Sequence, residues 1–149
     1  MGSKIIKDLV LTPLKQISDD RGAVFHFLKS DSSNFKNFGE AYFSKINVGV
    51  IKGWKLHTIA EQNFCVPYGA VKIIVFDNRL NSSTRGVIQE IILNDVDNYF
   101  LLSMPAGLWY SFKCISNEAA ILANIINIIH SPTEALSLPL ETKEIPYEW

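Results

Sequence analysis

The sequence predicts an all-β protein, a sandwich or barrel of short antiparallel strands. Short apolar or alternating runs recur along the whole chain. Clusters of Gly, Pro, Asn and Asp end nearly every run. Patterning at the helical period of 3.6 is scarce. Runs of this kind, punctuated in this way, read as strands and turns rather than helices.

The elements follow in order. Asp19-Asp20-Arg21-Gly22 is a turn, and Val24-Phe25-His26-Phe27-Leu28 alternates behind it. His26 points opposite to both neighbouring phenylalanines, because successive strand side chains take opposite faces. Asp31 to Phe38 is the exception: Asp31 or Ser32 can cap one or two helical turns. Ala41 to Asn47, rich in aromatic and β-branched residues, follows Phe38-Gly39. Val71 to Phe76 lies between Tyr68-Gly69 and Asp77-Asn78. Val87 to Leu93 follows Ser82-Ser83-Thr84-Arg85-Gly86 and stops at Asn94-Asp95. Tyr99 to Met104 ends at Pro105. Ala119 to Ile129 is the longest apolar run and stops before Pro132. The tail from Pro132 to Trp149 reads as an extended arm, and its terminal Tyr147 and Trp149 are aromatics of the kind that bury or sit at an interface.

Size and charge bound the function. A chain of 149 residues is one domain, 1–149, with a core that needs no disulfide or metal staple. A net charge of −1 offers no electrostatic footprint for nucleic acid or a membrane surface. Ile121 to Ile129 is too short to span a bilayer and holds asparagines. Met1 to Lys7 lacks the long apolar region of a signal peptide. The expectation is a cytoplasmic protein in which Cys65 and Cys114 stay reduced.

Two segments carry the chemistry. The first is Gly49-Val50-Ile51-Lys52-Gly53-Trp54-Lys55-Leu56-His57, followed by Glu61 and Gly69. The second is Pro105-Ala106-Gly107-Leu108-Trp109-Tyr110-Ser111-Phe112. Together they resemble the two motifs of the cupin superfamily, a His-x-His pair with a glutamate and glycine, then Pro-x-Gly-x-x-His. That resemblance implies a cupin-type antiparallel β-barrel, a double-stranded β-helix or jelly roll. In it the motif histidines and glutamate converge on a divalent metal. Here Lys55 stands at the first histidine and Tyr110 at the last, leaving His57 and Glu61. One imidazole and one carboxylate beside an ammonium make a poor metal site. The expectation is therefore no metal and no other cofactor.

The resemblance narrows to the dTDP-4-dehydrorhamnose 3,5-epimerases. Asp19-Asp20-Arg21-Gly22, Gly49 to His57, Phe76-Asp77-Asn78-Arg79, Pro105 to Phe112 and Ile145-Pro146-Tyr147-Glu148-Trp149 follow that family's motifs in order, over roughly residues 10 to 149. The family's histidine removes a proton beside a keto group and a tyrosine returns one from the opposite face. An aspartate beyond the C-terminal tryptophan supports the histidine, and an early arginine binds the diphosphate. Carried over, His57 is the base and Arg21 the diphosphate ligand. A neutral imidazole suits proton abstraction near pH 7.

The departures are as specific as the matches. Two extra residues separate Gly53 from His57. Counting back from Pro132, the family tyrosine falls on Asn124, which cannot act as an acid near neutral pH. The chain stops at Trp149, so the supporting aspartate has no counterpart. The family's basic residue after the histidine falls on or near Gln62. His26 occupies the place of a glutamate that faces the ligand. Tyr110 is then the best substitute acid, with solvent the other source of the returning proton. Lys55 or Arg21 would stabilise anionic groups.

The implied function is epimerisation of a nucleotide-linked 4-keto-6-deoxy sugar, in surface polysaccharide biosynthesis. The implied assembly is a homodimer with exchanged strands or arms. A non-catalytic sugar-nucleotide-binding cupin and a 3,4-ketoisomerase remain the rival readings. A metal-dependent dioxygenase is more distant.

Overall fold

In the computed structural model, which describes residues 5–149, the backbone is all strand and turn. Met1 to Lys4, the start of the segment read as lacking a leader, lie outside the described residues. One five-stranded sheet has the order β1 (Val10–Pro13), β9 (Phe100–Met104), β6 (Gln62–Tyr68), β11 (Ala120–Ile126) and β4 (Glu40–Ile46). A second has the order β12 (Ala135–Ser137), β5 (Ile51–His57), β10 (Leu108–Cys114), β7 (Ala70–Asp77) and β8 (Ile88–Asn94). All pairings are antiparallel. The hairpin of β2 (Gln16–Asp19) and β3 (Gly22–Phe25) forms a two-stranded sheet of its own. Neighbours within each sheet are mostly distant in sequence, as in the expected jelly roll.

The layers follow from the alternation. The inner faces of the two sheets share one core, which includes Ile46, Phe64, Ile73, Leu93, Leu108 and Phe112. Trp54, Ile74 and Phe76 point the other way, to the outer face of the second sheet. There the tail covers them with Leu138, Leu140, Ile145, Tyr147 and Trp149. The Trp149 indole N–H donates to Ser111 Oγ at 2.6 Å, which pins the end of the arm. Cys65, Tyr99 and Ala123 pack with Leu14 and Phe27 on the outer face of the first sheet. Strands buried on both faces read as continuous apolar runs, which is why β7 stood out in the sequence.

The helical reading of Asp31 to Phe38 is overturned: the segment has turns and no helix. Ser32 and Asn34 hydrogen-bond to each other, and Asn34 Nδ2 reaches across to Ser103 Oγ at 2.9 Å. Such side chains offer the backbone local alternatives to a helix.

One irregularity sets the phase of β5. Lys52 pairs with Phe112 and Gly53 with Ser111, but the next pair is Lys55 with Tyr110, so Trp54 is an extra residue. This bulge turns Trp54 outward and brings Lys55 and His57 to the inner face. Gly53 meets two demands at the bulge. Its φ is +125°, and an added Cβ would lie 2.6 Å from Ser111 Cβ.

Candidate active site

His57 ends β5 on the inner face and is 5 % exposed. Its Nδ1 lies 2.7 Å from Glu134 Oε1. Glu134 is 7 % exposed and sits just before β12, whose Ala135 pairs with His57. The other carboxylate oxygen accepts the backbone N–H groups of Ile59 and Ala60, both at 2.9 Å. Burial pushes this carboxyl up, but the Ala60 amide, the His57 ring and the Ile59 amide outweigh it and hold it at about 2. An ionised Glu134 accepts a hydrogen bond from Nδ1–H. That fixes the imidazole tautomer and leaves Nε2 as the basic nitrogen. Nε2 is buried with no hydrogen-bond partner among the described residues.

A cavity of about 220 Å³ lies between the inner faces of the sheets, on the same face of β5 as the histidine. The β5–β10 wall contributes Lys52, Lys55, Tyr110 and Phe112, and the β4–β11–β6 wall contributes Tyr42, Ser44, Asn124, Leu122 and Phe64. Its size falls below the roughly 300–1,000 Å³ of sites that enclose drug-sized ligands. It suits a sugar ring better than a whole nucleotide sugar.

Tyr110 lies parallel to the His57 ring, with centroids 6.2 Å apart and planes 12° off. Its hydroxyl donates to Gln62 Oε1 at 3.3 Å, and burial raises the phenol well above its ordinary value. Asn124 Nδ2 donates both to Gln62 Oε1 and to the Tyr42 hydroxyl, each at 3.0 Å. Asn124 Oδ1 is buried and unpartnered among the described residues. Lys52 Nζ is tied to Ser44 Oγ at 3.0 Å and to the Lys45 carbonyl at 2.8 Å.

Lys55, Tyr110 and Asn124 therefore line one cavity, with His57 stacked against Tyr110 and Gln62 hydrogen-bonded to Tyr110 and Asn124 behind that lining. Arg21 and His26 do not join them within this chain. Arg21 lies at the tip of the β2–β3 hairpin, its side chain 85 % exposed and paired with Asp19 at 2.7 Å. His26 lines a separate cavity with Lys15, Phe27 and Lys29. The hairpin is hydrogen-bonded into neither large sheet, so it carries both residues away from the barrel interior. Glu61 is engaged by Lys36 at 2.7 Å and by Asn127. A divalent cation does not fit this donor set. The histidine's Nδ1 is committed to Glu134, and its neighbours are an ammonium and a phenol.

Sequence reasoning missed four of these residues. Glu134 meets His57 across 77 positions, and no local pattern marks it. Tyr42 and Ser44 alternate with Phe43 in a recognised strand, so their shared face was open to inspection. Lys52 was visible in the first motif, but its inward phase depends on the bulge.

The family model described as dTDP-4-dehydrorhamnose 3,5-epimerase matches residues 3–149. A crystal structure of a dTDP sugar isomerase from Desulfovibrio desulfuricans G20 superposes with a TM-score of 0.94 at 35 % identity. It covers 97 % of this chain and 92 % of that one. The spore coat polysaccharide biosynthesis protein SpsL of Bacillus subtilis is 24 % identical over 147 residues, 97 % of each chain. The probable low-salt glycan biosynthesis epimerase Agl13 of Haloferax volcanii is 26 % identical over 121 residues, 80 % of this chain and 77 % of its own.

Proposed function

From the premise that this chain belongs to the dTDP-4-dehydrorhamnose 3,5-epimerase family, we propose that His57 is the general base of a metal-independent epimerase. Its substrate is a nucleotide-linked 4-keto-6-deoxy sugar on a route to polysaccharide. One observation carries the reading: Glu134 holds Nδ1 at 2.7 Å while Nε2 is left buried and unpartnered among the described residues. A carboxylate-oriented imidazole with a free second nitrogen is poised to take a proton. The C–H bond beside the keto group breaks, its proton moves to Nε2, and the electron pair becomes an enolate. Lys55, on the same strand, is the cation for the developing oxyanion.

The same reading assigns a homodimer in the cytoplasm. Ile17, Val24 and Phe25 on the hairpin and Phe43 on the edge strand β4 are exposed apolar side chains that a second copy would cover. A dimer gives Arg21 a route to the partner's diphosphate site, which its own barrel does not offer. The two free, buried cysteines support a reducing compartment.

The test is deuterium incorporation. A dTDP-linked 4-keto-6-deoxyhexose incubated with the protein in D2O exchanges hydrogen beside the keto group, and His57→Ala slows that exchange about 10²–10⁴-fold. Exchange that survives the substitution sinks the assignment of the base. Tight binding without any exchange by the unaltered protein favours the ligand-binding reading instead.

A further inference from the structure

We propose that Tyr42 is the proton donor of this site, delivering a proton to the sugar from the wall opposite His57. The assignment rests on the reading of His57 as the base. Epimerisation inverts a carbon, so the proton must leave one face and return to the other. His57 stands on β5, in the second sheet. Tyr110 stands on β10, hydrogen-bonded beside β5, and lies parallel to the His57 ring. Those two groups belong to one wall, Tyr110 lining the cavity and His57 stacked beside it, and so approach a bound ring from the same side. The facing wall belongs to the first sheet, and the groups it presents to the cavity are Tyr42, Ser44, Phe64, Leu122 and Asn124. The phenol is the one group of this set with the acidity of a general acid.

The hydrogen bonds point the same way. Tyr110 spends its proton on Gln62 Oε1. Tyr42 is instead an acceptor: Asn124, its register partner on β11, donates to the phenol oxygen at 3.0 Å. That arrangement leaves the phenol proton uncommitted among the described residues. It also places an N–H where negative charge develops once the proton has gone. Burial raises the Tyr42 phenol and the Asn124 donor partly offsets this, so the group is protonated at neutral pH.

The step balances without a co-reactant. The enolate carbon forms a bond to the phenol hydrogen as the O–H bond breaks, and the pair from that O–H bond stays on oxygen as phenolate. Water then reprotonates the phenolate and accepts the proton held on His57. Asn124 is a positioning residue in this scheme, acting through the phenol.

The test separates exchange from inversion. A dTDP-linked 4-keto-6-deoxyhexose is followed by NMR in D2O for deuterium uptake and, separately, for the change of configuration. Tyr42→Phe retains uptake, because His57 still removes and returns hydrogen on its own face. It lowers inversion about 10²–10⁴-fold. Tyr110→Phe lowers inversion far less than Tyr42→Phe does. Tyr42→Phe that inverts at the unaltered rate overturns the assignment, and so does Tyr110→Phe that alone abolishes inversion. A Tyr42→3-fluorotyrosine protein, which keeps the shape of the side chain, moves the alkaline limb of inversion to lower pH. A limb that stays put overturns the proposal. No uptake by the unaltered protein overturns the reading of His57 itself, an outcome distinct from uptake with undisturbed inversion in Tyr42→Phe.

Discussion

Asp77 and Glu134 are the two buried carboxylates among the described residues, and they are held by opposite kinds of partner. Asp77 ends β7 and draws every donor from its own turn. The Arg79 N–H and Nε reach one oxygen, both at 3.0 Å. Arg79 Nη2 at 3.0 Å, Ser82 Oγ at 2.6 Å and Thr84 Oγ1 at 2.7 Å reach the other. Burial raises the Asp77 carboxyl, but Arg79, Ser82 and Thr84 hold it well below the usual carboxylate range. Glu134 draws its donors from residues at least 74 positions away. The donors at Asp77 are spent on closing a loop and on tying it to Lys7 and Asp8. One donor at Glu134 is an imidazole whose far nitrogen is unspent, so the same charge that fastens β12 to the β5 end also orients the proposed base. A buried carboxylate builds chemistry when a partner retains a free end.

The sharpest test of that contrast is Glu134→Gln. An amide has a single acceptor oxygen, so either His57 or the Ile59 and Ala60 amides must lose their partner. Deuterium exchange falls about 10²–10⁴-fold. Unchanged exchange would reduce Glu134 to a loop staple like Asp77. Next comes Asp77→Ala, which takes the buried partner from the Arg79 guanidinium, leaving it Asp8 and the Lys7 carbonyl, and costs about 3 kcal/mol in urea unfolding. The exchange rate per folded molecule is unaltered. A loss of exchange there would mean that the turn, too, belongs to the site.

Acid should expose both groups. A carboxyl held below its ordinary value stabilises the fold fully above that value and loses the contribution as pH falls through the folded value. For Glu134 the window runs from 4.5 down to about 2. The urea midpoint of the unaltered protein therefore drops across that window, and Glu134→Gln drops less steeply. The smallest effect is Ser82→Ala, about 1 kcal/mol in the same unfolding measurement. Asp77 keeps Thr84 and Arg79 as donors, so the turn tolerates the loss.

The same contrast explains what could be read from the chain. Asp77-Asn78-Arg79 was visible as a motif because its partners are neighbours in sequence. The strands β4, β7, β8, β9 and β11 announced themselves by local alternation or apolar runs ended by turns. The His57–Glu134 pair depends on β12 returning to the edge of β5, and nothing near Pro132 advertises that pairing. The supporting carboxylate was sought beyond Trp149, whereas the fold supplies it from before β12. Asp31 to Phe38 misled because its Ser and Asn side chains suit a helix cap and a turn equally well. Arg21 and His26 were placed at the site by motif alone, and the separate hairpin holds them elsewhere in this chain.

The bulge at Trp54 makes β5 a strand whose meaning lies in counting. Every residue after it is read in the opposite parity from every residue before it. Lys52 and His57, an odd number of positions apart, face the same way for that reason alone. Many changes of side chain at position 54 would leave this arithmetic intact. Removing one residue, of whatever kind, would restore strict alternation and aim the imidazole at the tail instead of the barrel interior. Relatives of this chain are therefore best compared from the bulge outward in each direction, since a gap moved by one place exchanges inside for outside.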